Sequence, residues 1–241
     1  MPDQLQLRGG TTTEHNSFTG AAREVTVDTT KKTLVVHDGS QAGGTPLMRE
    51  SGGGVNATIN GVSVGKGANS VSGNTVLGES ALNAAVTGGN NVAIGKAALS
   101  ANTSGNQNIA IGRNALLVNT TGIYNVGIGD STLANNTTAN SNVAVGQSAL
   151  VLNTTGGNNT AVGAAAADAN TTAEGIAAFG SGALGANTTG NYNSSFGSFS
   201  LSQNTTGTQN SAVGGFALNK NTTASNNTAV GYLSLFENTT G

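Results

Sequence analysis

The sequence predicts an all-β repeat protein: a parallel β-roll or β-solenoid of 17-residue coils behind a small β domain. Three observations predict it. First, Gly78, Gly95, Gly112, Gly129 and Gly146, then Gly163, Gly180, Gly197, Gly214 and Gly231, stand 17 residues apart without a slip. Second, a leucine follows each of these glycines four residues later, from Leu82 to Leu235, with Ala167 as the exception. Third, an asparagine stands seven residues after the glycine in every unit from Asn102 to Asn238. A fixed short period of this kind marks stacked units that bury a core only together.

Composition narrows the function. Of 241 residues 37 are glycine, 8% are charged and 4% are aromatic, so the core of each unit must be thin. The net charge of −2 gives no electrostatic reason to expect nucleic acid as a partner. There is no cysteine, which removes disulfides and thiolate chemistry. No apolar run reaches the ~18 residues of a membrane helix, and no membrane insertion is expected. The first residues lack the apolar stretch of a secretory signal.

Charge also divides the chain. Eleven of its 20 charged residues, and both histidines, lie in the first 50. The shift falls at Ser51-Gly-Gly-Gly54 and sets the expected domains: 1–50, a glycine-rich adaptor over 51–73, and the repeat shaft over 74–241. In the first domain Gln4-Leu-Gln-Leu-Arg8 alternates as a half-buried strand does, and Gly9-Gly10 is expected to break it. Arg23-Glu-Val-Thr-Val-Asp28 and Thr33-Leu-Val-Val-His37 read as a hairpin around Thr29-Thr-Lys-Lys32. Fifty residues of this kind bury too little apolar surface alone, and without cysteine oligomerisation is the expected remedy.

The same segment resembles the N-terminal domain of the major tropism determinant family of phage receptor-binding proteins. The matching residues are Gln6-Leu-Arg8-Gly-Gly-Thr-Thr12, Phe18-Thr-Gly-Ala-Ala-Arg23-Glu-Val-Thr-Val-Asp28, Val35-Val-His37-Asp-Gly39, Ala42-Gly-Gly44 and Pro46-Leu47. The resemblance implies a trimeric β-prism at the virion-proximal end of a fibre, held by a tail baseplate or adaptor protein. In that family a C-terminal lectin-like domain reads the receptor. Nothing after residue 50 resembles that domain, so no receptor-binding residue is carried over.

Each repeat unit reads as two short strands and two turns. Fourteen and sixteen residues after the glycine stand Val92 and Ile94, Ile109 and Ile111, Val126 and Ile128, with a small residue between. This alternation predicts a strand whose branched side chains turn inward. The glycine suits a corner needing positive φ or close backbone approach. The second segment ends in the leucine, and Asn-Thr-Thr-Gly closes the coil. In a stack, asparagines seven and thirteen residues after the glycine form amide ladders, where stacked carboxylates would repel. Late in the chain the first branched position becomes Thr160, Ala177, Ser194 and Ser211, while Phe179, Phe196, Phe199 and Phe216 appear elsewhere. The distal coils are therefore expected to bury a different face, with neighbouring chains as the candidate cover.

Asn91-Val-Ala-Ile-Gly95, Asn108-Ile-Ala-Ile-Gly112 and Asn142-Val-Ala-Val-Gly146 resemble the head repeats of YadA-type trimeric autotransporter adhesins. That resemblance implies a left-handed parallel β-roll with three rolls about one axis. The unit here is longer by its Asn-Thr-Thr turn, and the signal peptide and membrane anchor of that family are absent from the sequence. Similar Asn-Thr-Thr-Gly repeats occur in phage fibre proteins.

Several residues were weighed as sites. His15 and His37 could meet their copies on a trimer axis around an ion, but no second ligand type sits at metal spacing, and local hydrogen bonding is the preferred reading. Glu79, Lys96, Arg113 and Asp130 follow successive glycines and read as a solvated face of alternating charge rather than a receptor stripe. Tyr124, Tyr192 and Tyr232 read as partly buried packing residues rather than glycan platforms. The Asn-Thr-Thr triplets match the glycosylation pattern but follow the coil period, so they read as turns. Glu14, Glu24, Asp28 and Asp38 lie near the histidines but serve turns and strand ends as readily. No catalytic, cofactor-binding or metal-binding residue is assigned, and no enzyme is expected.

The expected function is structural: a homotrimeric phage tail fibre, part of the virion, that links the particle to a host-surface receptor. The in-phase end at Asn238-Thr-Thr-Gly241 carries the expectation of a receptor-binding tip beyond it. The alternatives are a bacterial trimeric surface adhesin and, further off, an ice-binding β-solenoid, since threonine pairs recur at regular spacing.

Overall fold

The computed structural model describes residues 8–17, 25–29, 33–36, 45–46, 57–59 and 62–239. The chain divides into two compact units, Met1–Ala57 and Thr58–Gly241.

The first unit holds a four-stranded sheet in the order β1 (Arg8–Gly10), β2 (Val25–Asp28), β3 (Thr33–Val36), β4 (Thr45–Pro46). β2 and β3 pair antiparallel, with Asp28 opposite Thr33, which is the expected hairpin. Gly9 and Gly10 do not break the first strand. They lie in it, parallel to β2 and opposite Val27 and Asp28, while residues 4–7 fall outside the described part. A short helix α1 (Thr12–Ser17) follows, which the sequence reading did not anticipate. Its start is a capping box: the Glu14 carboxylate accepts from the Thr11 amide at 2.6 Å, and the Thr11 hydroxyl accepts from the Glu14 amide at 3.4 Å.

The second unit is a parallel β-solenoid. Its strands are β5 (Ala57–Ile59), β6 (Val62–Gly65), β7 (Thr75–Gly78), β8 (Val92–Ile94), β9 (Ile109–Ile111), β10 (Val126–Ile128), β11 (Val143–Val145), β12 (Thr160–Val162), β13 (Ala177–Phe179), β14 (Ser194–Phe196), β15 (Ser211–Val213) and β16 (Thr228–Val230). From β7 onward each strand pairs in parallel with the one a coil later, Val92 opposite Ile109 and Val126 opposite Val143. Stacked at ~4.8 Å per coil, ten such strands make a sheet roughly 45 Å long. β6 runs antiparallel to β7. It covers the first edge of the parallel sheet, where unpaired backbone would otherwise stand open. Next to it the Ala68 amide donates to the Leu82 carbonyl at 3.0 Å, closing the first coil over its leucine.

Each coil has one strand of three residues, not two strands. The rest of the coil is consecutive turns: Ala98, Ser100 and Asn102 each donate to the carbonyl three residues back. Within these turns Ala97 and Leu99 have φ of 57° and 51°. The alternation of φ sign turns Leu99 into the coil, while its amide donates to Ala115 of the next coil at 3.0 Å. This explains why the second segment looked like a strand: its inward and outward side chains also alternate, but through turns.

The core is narrow. Leu99, Leu116, Leu133 and Leu150 are fully buried, flanked by Ala93, Ala98, Ala110 and Ala115. Burial of each leucine stabilises the stack by about 1.5–3 kcal/mol. The expected phase of the strand is inverted. Its middle residue, Ala93 or Ala110, is the buried one, and the branched residues on either side, Val92 and Ile94 or Ile109 and Ile111, face outward and are half-buried. A coil this thin has room beneath the strand only for a methyl group. From β8 onward the two exceptions keep that volume: Gly127 sits where a Cβ would come within 3.1 Å of the Thr132 hydroxyl, and Ser195 hydrogen-bonds the Ser200 hydroxyl of the same coil; in β7, at the start of the stack, the buried residue is the larger Val76.

Both asparagine ladders form. Asn119 donates to the Asn102 carbonyl oxygen at 3.1 Å, Asn136 to Asn119 at 2.9 Å and Asn153 to Asn136 at 2.9 Å, all fully buried. Each also donates to the backbone three residues on, as Asn119 does to Gly122. In the second ladder Asn108 takes the Asn91 oxygen with both its backbone amide, at 2.9 Å, and its side chain, at 3.2 Å. An aspartate could accept in such a ladder but not donate.

Candidate functional surface: the outward face of the coils

The third residue of each strand builds an apolar ridge along the whole outer face of the sheet. It runs through Leu77, Ile94, Ile111, Ile128, Val145 and Val162, and continues through Phe179, Phe196, Val213 and Val230. Leu77 is 45% exposed, Phe196 42% and Val213 44%. Parallel sheets are ordinarily covered on both faces, so an apolar outer face of this length is unusual for a single chain. Phe179 and Phe196 stack with centroids 5.0 Å apart.

The corner beside the ridge is built by the repeating glycine. At Gly112, with φ of 136°, a Cβ would lie 2.3 Å from the Gly129 carbonyl oxygen. Positive φ and coil-to-coil contact therefore act together at this position. The residue after the glycine carries the stacked charges. Lys96 pairs with Glu79 at 3.1 Å, and Arg113 holds Asp130 by two contacts of 2.7 and 3.0 Å. These are exposed pairs between successive coils, the solvated face of alternating charge that their order suggested, and they contribute little stability each.

The tyrosines do not pack as expected. Tyr124 is 55% exposed, Tyr192 59% and Tyr232 72%. Tyr192 turns a ring edge toward Gly175 of the preceding coil, where a Cβ would be 2.6 Å from its ring.

The first threonine of each Asn-Thr-Thr triplet is committed to the stack: the Thr120 hydroxyl donates to the Thr137 carbonyl at 3.1 Å and Thr154 to Thr171 at 3.0 Å. The asparagine before it, from Asn102 to Asn221, is buried in its ladder with its amide nitrogen in use, so these triplets serve as turns. Burial pushes the pKa of Asp168 up, and backbone hydrogen bonds from Asp168 and Ala169 oppose the shift. Among the described residues no three His, Cys, Asp or Glu side chains gather as metal ligands. His15 lies in α1, and His37, Glu24 and Asp38 fall outside the described residues. No described helix is long and apolar enough to cross a membrane.

Comparison with known proteins adds to the first unit. The Major tropism determinant N-terminal domain family matches residues 5–41. A tail fiber receptor-binding protein of Bordetella phage BPP-1 is 65% identical over 49 residues, which are 20% of this chain and 13% of that protein. Among solved structures the Major Tropism Determinant U1 Variant matches with 47% identity over 25% of this chain and 19% of its own, with a TM-score of 0.18. The chain thus spans about an eighth of the length of the curated relative it matches. Residues 5–41 thus match that family's N-terminal domain, and the solenoid follows in the same chain.

Proposed function

We propose that this chain is a structural component of a phage tail fibre that serves host attachment. In this reading residues 1–50 form a trimeric β-prism bound to the tail baseplate or an adaptor protein. Residues 51–73 lead into the shaft, and residues 74–241 hold a receptor-binding region at a distance from the particle. The observation that carries the reading is the family match over residues 5–41.

The shaft side of the reading is a homotrimer, and its support is physical. The apolar ridge recurs once per coil along the entire sheet. Only a partner with the same axial repeat can cover such a ridge from end to end, and a second copy of the chain has that repeat. The reading involves no catalytic step and no cofactor.

Light scattering on the purified chain tests the assembly: three times the 23.5 kDa chain mass is expected, and a stable monomer would remove the trimer. Antibody raised against the shaft and imaged on intact particles tests the location. Label on the fibres is expected; label on the head alone, or none, contradicts the tail-fibre reading.

A further inference from the structure

We propose that the face through which copies of this chain meet moves around the coil, turning the glycine corner near residues 163–179. The proposal rests on the trimer reading above and adds where each part of the shaft makes contact. In the proximal coils the contact lies on the outer face of the strands, on their first and third residues. In the distal coils it lies on the third residue and on the residue two past the glycine, across the corner.

Three rows of side chains carry this. The first strand residue is Val92, Ile109, Val126 and Val143 in the proximal coils, then Thr160, Ala177, Ser194 and Ser211. The row two past the glycine changes the opposite way: Ala97, Asn114, Ser131 and Ser148 give way to Phe199, Phe216 and Leu233. Phe199 and Leu233 are each 43% exposed. Phe199 stacks on Phe216 at 5.5 Å, and Phe216 meets Tyr232 edge-on at 6.3 Å. The patch starts abruptly: Phe199 turns a ring edge toward Gly182 of the coil before, where a Cβ would be 2.7 Å from its ring.

The third row lies between these two, immediately after the glycine. Proximally it holds the long polar residues Glu79, Lys96, Arg113, Asp130 and Gln147. Distally it holds Ser181, Ser198 and Gly215. Charge is thus absent from the corner where the apolar surface crosses it. A dry contact can wrap the corner there and could not do so among the paired charges of the proximal coils, whose desolvation would be costly. The central row of the ridge is apolar from Leu77 to Val230, so the contact stays continuous while its flank changes sides. Copies that follow such a surface must each turn about their own axis along the shaft.

The chain has no cysteine, so single cysteines report proximity without background. We would place V126C, S131C, S211C and F216C in the full chain, with F199C as a second distal variant. Each would be treated with a short bis-maleimide crosslinker after light scattering has established its mass. Severalfold more inter-chain product is expected for V126C than for S131C, and for F216C and F199C than for S211C. Efficient crosslinking of S211C with F216C and F199C inert would show a straight interface and overturn the proposal while leaving the trimer. A trimer in which F216C and F199C stay uncrosslinked and react fast with a soluble maleimide would mean the patch serves another partner, and overturns it too. A monomer for the unmodified chain overturns both readings.

Discussion

The proximal coils, residues 78–162, and the distal coils, residues 180–239, share a fold but not a surface. Both bury a leucine, small residues and an asparagine ladder at the same positions, from Leu99 and Asn102 to Leu218 and Asn221. Outside, the proximal coils carry branched residues on the strand and ion pairs at the corner, and the distal coils carry aromatics on both sides of an uncharged corner. The comparison separates two codes. What repeats strictly specifies the coil, and what drifts along the chain is free to specify assembly. The coil between the two regions departs from both: Ala167 replaces the leucine, and Ile176 replaces an asparagine and interrupts the second ladder. There the Ile176 amide still takes the Asn159 oxygen at 3.0 Å, but isoleucine offers no oxygen to Asn193 of the next coil, and the ladder restarts at Asn193.

The strongest way to break the shared code is at the corner. Gly112→Ala puts a Cβ 2.3 Å from the next coil's backbone oxygen at a φ of 136°, and should cost upward of about 4 kcal/mol. Gly231→Ala has nearly the same φ, 123°, but its Cβ would meet nothing closer than the Ser234 side chain at 3.9 Å. Its cost should be about 1–3 kcal/mol, from backbone strain alone. Denaturant melts of the two variants check this; equal losses would mean that conformation, not stacking, selects the glycine.

Asn136→Asp tests the ladder. The carboxylate would face the Asn119 oxygen and the Ala139 carbonyl, to which Asn136 now donates at 2.9 and 3.1 Å. A cost of about 3 kcal/mol or more is expected at neutral pH. Burial raises the folded-state pKa of such a carboxyl above its unfolded value, so the penalty should shrink as pH falls through the folded value. Thermal melts across the acid range would show it.

The intervening coil sharpens the comparison. Ala167 and Ile176 are both buried in the same apolar core. If Ile176 occupies the volume that the missing leucine leaves, Ala167→Leu alone should overpack and cost about 1–3 kcal/mol. Adding Ile176→Asn should recover most of that and restore the ladder. Leu116→Ala in a proximal coil, with no such partner, should cost about 2–5 kcal/mol. A double-mutant cycle without coupling between residues 167 and 176 would refute the compensation.

Much of this was legible in the sequence, for physical reasons. The period, the glycine corner, the inward leucine and the asparagine ladders all depend on one residue type recurring at one place, and each recurs. The facing of the strand was not legible. Alternation shows that Val92 and Ile94 share a face but not which one, and assigning the larger residues inward fails when the interior holds only methyl groups. The tyrosines, read as partly buried, are more than half exposed. The second strand was misread because left-handed residues such as Leu99 alternate in and out as strand residues do, and a leucine gives no sign of positive φ. The helix α1 had a signal in Thr11 and Glu14 three residues apart, which the neighbouring glycine pair obscured.

The smallest expected effect is at Asp168, in the intervening coil. Burial raises its folded pKa, so the folded state holds this proton more tightly than the unfolded chain does. Stability from this group is therefore fully present at pH below the unfolded value and lost as pH rises through the folded value. Asp168→Asn removes the charge and should raise the melting temperature slightly at neutral pH, with the difference closing on acidification. The group is only partly buried, which keeps the effect small. A lower melting temperature for the variant at neutral pH would show that the backbone hydrogen bonds from Asp168 and Ala169 to the carboxylate outweigh its desolvation.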